Sequence, residues 1–200
     1  MFFHGLEYFS KGGFMMYPLL VCSLAVVIIS AERFMYYQAN DKGHHYGDKI
    51  RDMVMKGDIE ALKSISGEGV MGDFAAKVMK SAPEMNRPEE YITIQAEKTR
   101  EKFAASLSYL GVAVSLAPVL GLLGTVTGMI ASFNALDVRM DNPMAVTAGI
   151  GEALITTVFG LSIAIMGICS HAYFSKRLHG IELTIEEMAN ALLEAVVTDK

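Results

Sequence analysis

One stretch decides the fold of this chain: residues 103–136, FAASLSYLGVAVSLAPVLGLLGTVTGMIASFNAL, carry no charged side chain. Residues 12–31 and 153–175 are also free of Asp, Glu, Lys and Arg. About 20 predominantly apolar residues are enough to cross the hydrocarbon core of a bilayer. The three charge-free stretches therefore predict three transmembrane helices, and they exclude a water-soluble monomer.

The basic residues indicate how these helices are oriented. Of the 17 Lys and Arg residues, 12 lie between Arg33 and Lys102, and Lys176 and Arg177 follow the third span. Lysine and arginine near span ends mark the cytoplasmic side of a membrane. We therefore expect a periplasmic N-terminus, a long cytoplasmic loop, a short periplasmic turn and a cytoplasmic C-terminus.

The sequence predicts an all-α integral membrane protein with three transmembrane helices, the second and third extended into a cytoplasmic helical bundle. The predicted segments are an N-terminal interfacial segment (1–13), a first span (14–34), a cytoplasmic helical loop with the start of the long second helix (35–105), a second span (106–136), a periplasmic turn (137–149), a third span (150–175) and a C-terminal cytoplasmic helix (176–200).

The charge-free stretch 103–136 is too long for the membrane alone. As a helix it would measure about 51 Å, against a hydrocarbon core of about 30 Å. Upstream, Pro88 followed by two glutamates is typical of a helix start. We therefore expect one continuous helix from about Pro88 to Leu136. Apolar residues at helical spacing likewise predict that the third helix continues into the tail: Ile181, Ile185, Met188, Leu192 and Val196.

Small residues recur along one face of the second and third spans. Such residues allow membrane helices to approach closely, because lipid supplies little hydrophobic drive for helix association. On the second span the stripe contains Ala117, Gly121, Thr125, Gly128 and Ser132. On the third span it contains Gly149, Ala153, Thr156, Gly160, Ala164 and Gly167. Pro118 is expected to kink the second helix, because it removes a backbone donor.

Glu152 is the residue that the sequence singles out for chemistry. It lies more than two turns inside a helix that opens at Pro143, so a simple helix-start role does not explain it. Intramembrane acids usually mark ion pathways. An ion path or an oligomer interface is therefore the favoured interpretation, and a helix-start acid at the membrane edge is the alternative.

The hydroxyls of Thr156 and Thr157 lie one turn deeper than Glu152. A hydroxyl can both donate and accept, so it can bridge a proton-carrying group; it can equally bond back to its own helix. An interfacial histidine is the favoured interpretation of His171, and a relay residue is the alternative. We expect no enzyme activity, cofactor, metal site or nucleic-acid partner, because the sequence contains no phosphate loop, zinc-protease motif, nucleophile elbow or basic patch.

Two segments resemble the signature motifs of the MotA/TolQ/ExbB proton channel family. Residues 117–133, APVLGLLGTVTGMIASF, are similar to the motif of its second span. Residues 149–161, GIGEALITTVFGL, resemble the motif of its third span, and Glu32-Arg33-Phe34 after the first span also fits. Three spans favour the ExbB/TolQ branch over the four-helix MotA type.

The resemblance implies a pentamer of this subunit in the bacterial inner membrane, around the single helices of an ExbD/TolR-like dimer. It implies a TonB/TolA-like protein as the partner that receives the work. Thr125 and Thr157 match the pore threonines of the family, and Glu152 its third-span glutamate. Gly121, Gly124, Gly128, Gly160 and Pro118 would serve helix packing. Thr156 shares a helix face with Glu152, so which of the two adjacent threonines faces the pore stays open.

Overall fold

The structure, a computed structural model, describes residues 12–40, 44–56, 69–138 and 143–198. All regular elements in these ranges are helical, which confirms the predicted all-α fold. The elements are α1 (Met16–Asn40), α2 (His44–Met55), α3 (Val70–Ser81), a 3-10 turn (Ala82–Glu84), α4 (Pro88–Ala104), α5 (Leu107–Val138) and α6 (Pro143–Thr198).

Three helical stretches are long and apolar enough to cross a membrane, as the sequence predicts. They are Met16–Asn40, Pro88–Asn134 and Thr147–Val196. Large apolar side chains on α1, α5 and α6 are exposed at the surface of the single chain, among them Val27, Val119 and Ile165. In lipid such faces carry no solvation cost, because the surrounding acyl chains are themselves apolar.

The chain folds as two compact units. The first contains the described residues of Met1–Ala31 and Leu107–Ala172, and the second those of Glu32–Ser106 and Tyr173–Lys200. The first unit therefore holds most of the predicted membrane-spanning residues, and the second holds most of the predicted cytoplasmic ones.

Within the first unit, α5 and α6 pack against each other along glycines. A Cβ atom on Gly160 would lie 2.6 Å from the carbonyl oxygen of Ala117 and 3.0 Å from the Cα atom of Gly121. A Cβ atom on Gly128 would lie 2.9 Å from that of Ala153. Several of these neighbours are backbone atoms, which cannot turn aside as a side chain can. Glycine is therefore required for the helices to approach this closely.

The α5–α6 contact is antiparallel and as long as the membrane is thick. Gly111 faces His171 at one end, and Ser132 faces Gly149 at the other. From Gly111 to Ser132, α5 advances by about 32 Å, which matches a hydrocarbon core of about 30 Å. One continuous glycine-rich seam thus joins the two helices across the span.

The second unit buries the apolar face of the tail. The residues predicted from helical spacing are all buried: Ile181, Ile185, Met188, Leu192 and Val196. Buried apolar side chains of α2, α3 and α4 in the same unit include Ile50, Val54, Phe74, Val78 and Ile92. Because α6 runs without interruption from Pro143 to Thr198, the prediction that the third span continues into the tail is confirmed.

The prediction of one continuous helix from Pro88 to Leu136 is wrong in its middle. The helix does begin at Pro88, but α4 ends at Ala104 and α5 begins at Leu107. Ala105 is extended, with φ −50° and ψ 147°, and Ser106 has a φ of 64°. A non-glycine residue in this left-handed region costs roughly 1–2 kcal/mol. Contacts outside the local sequence must therefore stabilise the interruption.

Some expectations fall on residues outside the described ranges. These include most of the predicted N-terminal interfacial segment (1–13), part of the predicted cytoplasmic loop (35–105) and the middle of the predicted periplasmic turn (137–149). The membrane boundaries and the sidedness of the termini stay predictions.

Gly160→Ala should destabilise the protein by about 1–3 kcal/mol, because the new methyl group would overlap backbone atoms of α5. Gly180→Ala, on the same helix, is the matched control, since its added Cβ would meet no atom of the described residues within 4 Å. Reversible unfolding in lipid bicelles measures both. Equal stability of the two variants would contradict the glycine-seam interpretation.

Candidate functional site

Glu152 lies on α6 under the backbone of the turn that leads into α1. Gly13 in this turn has a φ of 64°, and a Cβ atom there would overlap the Oε1 atom of Glu152 and lie 2.8 Å from its Cδ atom. The dihedral angle favours glycine at position 13, because other residues rarely adopt a positive φ. A Cβ atom there would also force the Glu152 side chain to move. The backbone at Gly13 thus lies directly against the carboxylate of Glu152, and the Glu152 side chain is half-buried.

A cavity of about 820 Å³ adjoins Glu152 in the first unit. Its walls come from the turn before α1, from α5 and from α6, and its polar side chains include Thr127, Ser132 and Thr147. Glu152 is the only ionisable residue among the described residues that line it. The cavity therefore places one carboxylate beside a few hydroxyls in a lining that is otherwise mostly apolar.

Thr157 connects the two helices by a hydrogen bond. Its Oγ1 atom donates to the carbonyl oxygen of Gly121 on α5 at 3.0 Å. The close helix approach at this point explains the bond, because a Cβ atom on Gly121 would lie only 3.2 Å from the Cα atom of Thr157. The Thr157 side chain stays half-buried.

Thr156 points into the α5–α6 contact. Only 1% of its surface is exposed, and a Cβ atom on Gly124 would overlap its hydroxyl. Its Oγ1 atom donates to the carbonyl oxygen of Ala153 in its own helix at 2.7 Å. Within one chain, therefore, Thr156 fills a gap between helices, whereas Thr157 retains accessible surface.

Thr125 lies beside the seam on α5. Its hydroxyl donates to the carbonyl oxygen of Leu122 at 2.7 Å, and its side chain is half-buried. The predicted stripe on α5 is thus right for Ala117, Gly121, Gly128 and Ser132, but Gly124 rather than Thr125 packs against Thr156. Thr125 lies one helical turn after Gly121, whose carbonyl oxygen accepts the hydrogen bond from Thr157. The hydroxyls of Thr125 and Thr157 are therefore about one turn apart along α5.

The remaining predicted positions are placed as follows. Gly121, Gly124, Gly128 and Gly160 all lie in the seam, and Pro118 lies inside α5, which continues on both sides of it. His171 is half-buried against Gly111 at the far end of the seam from Glu152. Among the described residues, no group of three or more His, Cys, Asp or Glu side chains is arranged to hold a metal ion.

Sequence reasoning missed Gly13 as a neighbour of Glu152. The signal available was the pair Gly12-Gly13 just before the first span, but two glycines alone do not show which side chain the turn will cross. Only the packing of α1 against α6 reveals the contact.

Comparison with known proteins identifies the family. The MotA/TolQ/ExbB proton channel family matches residues 63–187, which is more than half of the chain. This chain therefore belongs to the MotA/TolQ/ExbB proton channel family.

Individual relatives place the chain in the ExbB/TolQ branch. An ExbB-like biopolymer transport protein of Synechocystis sp. is 32% identical over 173 residues, which cover 82% of this chain and 67% of the relative. An ExbB homolog of Methanothermobacter thermautotrophicus is 31% identical over 202 residues, covering 92% and 69%. The Tol-Pal system protein TolQ of Pseudomonas aeruginosa is 39% identical over 85 residues, covering 42% and 37%.

Thr157→Val should lower stability by about 1 kcal/mol, because it removes a hydrogen bond between membrane helices. Thr125→Val is the matched control, since among the described residues the Thr125 hydroxyl bonds only to its own helix, and its loss should change stability by a few tenths of a kcal/mol at most. Unfolding in bicelles compares the two. A larger loss for Thr125→Val would contradict the assigned geometry.

Proposed function

We propose that this protein is the proton-conducting stator subunit of an inner-membrane motor of the ExbB–ExbD or TolQ–TolR type. The motor couples the proton motive force to work on a periplasm-spanning partner. Five copies surround the single helices of an ExbD/TolR-like dimer, and a TonB/TolA-like protein receives the work. TonB-dependent import is the favoured role. The N-terminus is periplasmic and the C-terminus is cytoplasmic.

One observation carries this proposal: the spans retain a few polar groups whose positions match the family motifs. Glu152 lies at the cavity, the Thr125 hydroxyl lies beside the seam, and Thr157, which donates across the seam, keeps accessible surface. Polar groups inside a membrane are costly unless they serve transport or association. Glycines bring α5 and α6 together, and the Thr125 hydroxyl bonds to a carbonyl of its own helix, so the association of α5 with α6 does not account for Thr125.

Between the two adjacent threonines, the proposal assigns the pore to Thr157. Thr156 is buried against Gly124 within the chain and is unable to meet a central partner helix without separating α5 from α6. Thr157 keeps accessible surface, and its hydroxyl hydrogen is already donated to Gly121. Its oxygen then presents lone pairs, so it would accept a hydrogen bond from water or from a protonated acid.

Glu152 is assigned to proton access from the periplasmic side. The cavity beside it is large enough for several water molecules, and Glu152 with the hydroxyls of Thr127 and Ser132 offers them hydrogen-bond partners. Each elementary charge that crosses 100 mV makes about 2.3 kcal/mol available, so a few protons supply useful work.

Two alternatives keep the same fold. A TolQ-like motor would use the same path for envelope integrity, and its partner gene would distinguish it. A scaffold without a proton path of its own would need only the seam and the exposed apolar faces. An autonomous solute transporter ranks last, because Glu152 and His171 lie at opposite ends of the seam and about 28 Å apart along α6.

Thr125→Val and Thr157→Val should each reduce proton uptake by at least about tenfold in vesicles that contain the partner subunits. Loss of a pore hydroxyl removes a hydrogen-bonding step, and 1.4 kcal/mol corresponds to a factor of ten. Ser162→Ala is the control, because Ser162 lies on the same helix as Thr157, is exposed, and donates to the carbonyl oxygen of Val158 in its own helix.

Undiminished uptake in both threonine variants would overturn the assigned roles. Glu152→Gln separates the scaffold from the channel: a proton path loses flux while the complex still assembles, whereas a scaffold changes in assembly alone. Purification with the partner subunits measures assembly independently of flux.

A further inference from the structure

The interruption between α4 and α5 is not explained by the residues that form it. The local sequence, Lys102-Phe-Ala-Ala-Ser-Leu107, contains neither glycine nor proline. Alanine is the strongest helix former, yet the chain leaves the helix directly after Ala104, at a second alanine, Ala105. The local sequence thus favours a continuous helix, yet Ser106 has a φ of 64°. Tertiary contacts must hold the chain in the interrupted form.

The carbonyl oxygen of Phe103 receives two side-chain donors from α1. The Nη1 atom of Arg33 donates to it at 3.2 Å, and the Oη atom of Tyr37 donates at 2.9 Å. In a continuous helix this carbonyl would accept from the amide of Leu107. Two side chains therefore replace the backbone donor that the interruption removes.

The residue with the left-handed conformation is bound as well. The Ser106 hydroxyl donates to the carboxylate of Glu32, which also accepts from the Nη2 atom of Arg33 at 2.8 Å. Arg33 is 3% exposed, and the ring of Tyr36 lies 4.9 Å from its guanidinium carbon. The carbonyl before the interruption is thus bound by Arg33 and Tyr37, and the hydroxyl within it by Glu32. All three of these residues lie within two turns of α1.

Aromatic stacking fixes Phe103 in reach of these donors. The Tyr37 ring stacks on Phe103 with 6.2 Å between centroids, and on Phe174 with 5.7 Å. All three rings are buried. The Nε atom of Arg33, in contrast, is buried and has no hydrogen-bond partner among the described residues. A buried network with an unsatisfied member is only partly stabilised.

We propose that Glu32, Arg33 and Tyr37 form a clamp that keeps the chain interrupted at Ala105–Ser106, and that this segment has two states. With the clamp closed the chain is broken between α4 and α5. With the clamp open, the amide of Leu107 bonds to the Phe103 carbonyl and the two helices join. The clamp gives Glu32 and Arg33, two residues of the Glu32-Arg33-Phe34 motif at the end of the first span, a structural role. It does not depend on the proposed proton path.

Solid-state NMR on the full-length protein in lipid bilayers tests the clamp. Only Ser106 and Ser132 follow an alanine, so carbonyl-labelled alanine combined with labelled serine gives two signals. The Cα shift of serine reports its backbone conformation. Ser132 lies inside α5 and serves as the internal control. In the unmodified protein we expect a helical shift for Ser132 and a non-helical shift for Ser106.

Arg33→Met should move the Ser106 signal to the helical range and leave Ser132 unchanged. Arg87→Met is the matched control, because Arg87 is an exposed arginine before α4 that pairs with Glu90 and should alter neither signal. An unmoved Ser106 signal in Arg33→Met, with Ser132 intact, would overturn the proposal.

Loss of the Ser132 signal would show that Arg33→Met does not fold. In that case Tyr37→Phe tests the clamp instead. It removes one of the two donors to Phe103 and retains the ring. The proposal expects a second, helical Ser106 signal in this variant. A single unshifted signal would contradict it.

Discussion

The contact on which the membrane unit depends is the close approach of α5 and α6 along their glycines. Lipid offers little hydrophobic drive for helix association, so van der Waals contact between backbones must supply the attraction. Gly121 and Gly160 bring the helices together at the middle of the seam, and Gly128 continues the contact toward Glu152. The seam also determines which polar side chains have accessible surface and which are buried.

The functional interpretation follows from that division. Thr156 is buried in the seam, whereas Thr157 donates across it and Thr125 lies beside it. A hydroxyl that has already donated its hydrogen to a backbone carbonyl can only accept from a further group. In the proposed motor, such oxygens would accept a hydrogen bond from a protonated acid in the pore and so favour its protonated form. Because threonine carries no charge, the proton would pass these positions without meeting a fixed charge.

Much of the fold could be predicted from the sequence, because charge exclusion and helical spacing are local patterns. The three spans, the helix start at Pro88 and the apolar face of the tail are of this kind. The interruption at Ser106 could not be predicted, since its cause lies in Arg33 and Tyr37, about 70 residues earlier in the chain. The contact of Gly13 with Glu152 was missed for the same reason. The helical spacing of small residues predicted that Thr125 would lie in the seam. Adjacent positions on a helix lie close to the same face, however, and it is Gly124 that contacts Thr156.

Cysteine cross-linking to the single-span partner tests the central claim most directly. Single cysteines at positions 125, 156 and 157 would be introduced with Cys22 and Cys169 replaced by serine, and each paired with cysteines along the partner helix. The account predicts disulfides from positions 125 and 157 but not from 156. Cross-links from position 156 in the absence of any from 157 would show that the pore lies on another face of α6, and would contradict the account.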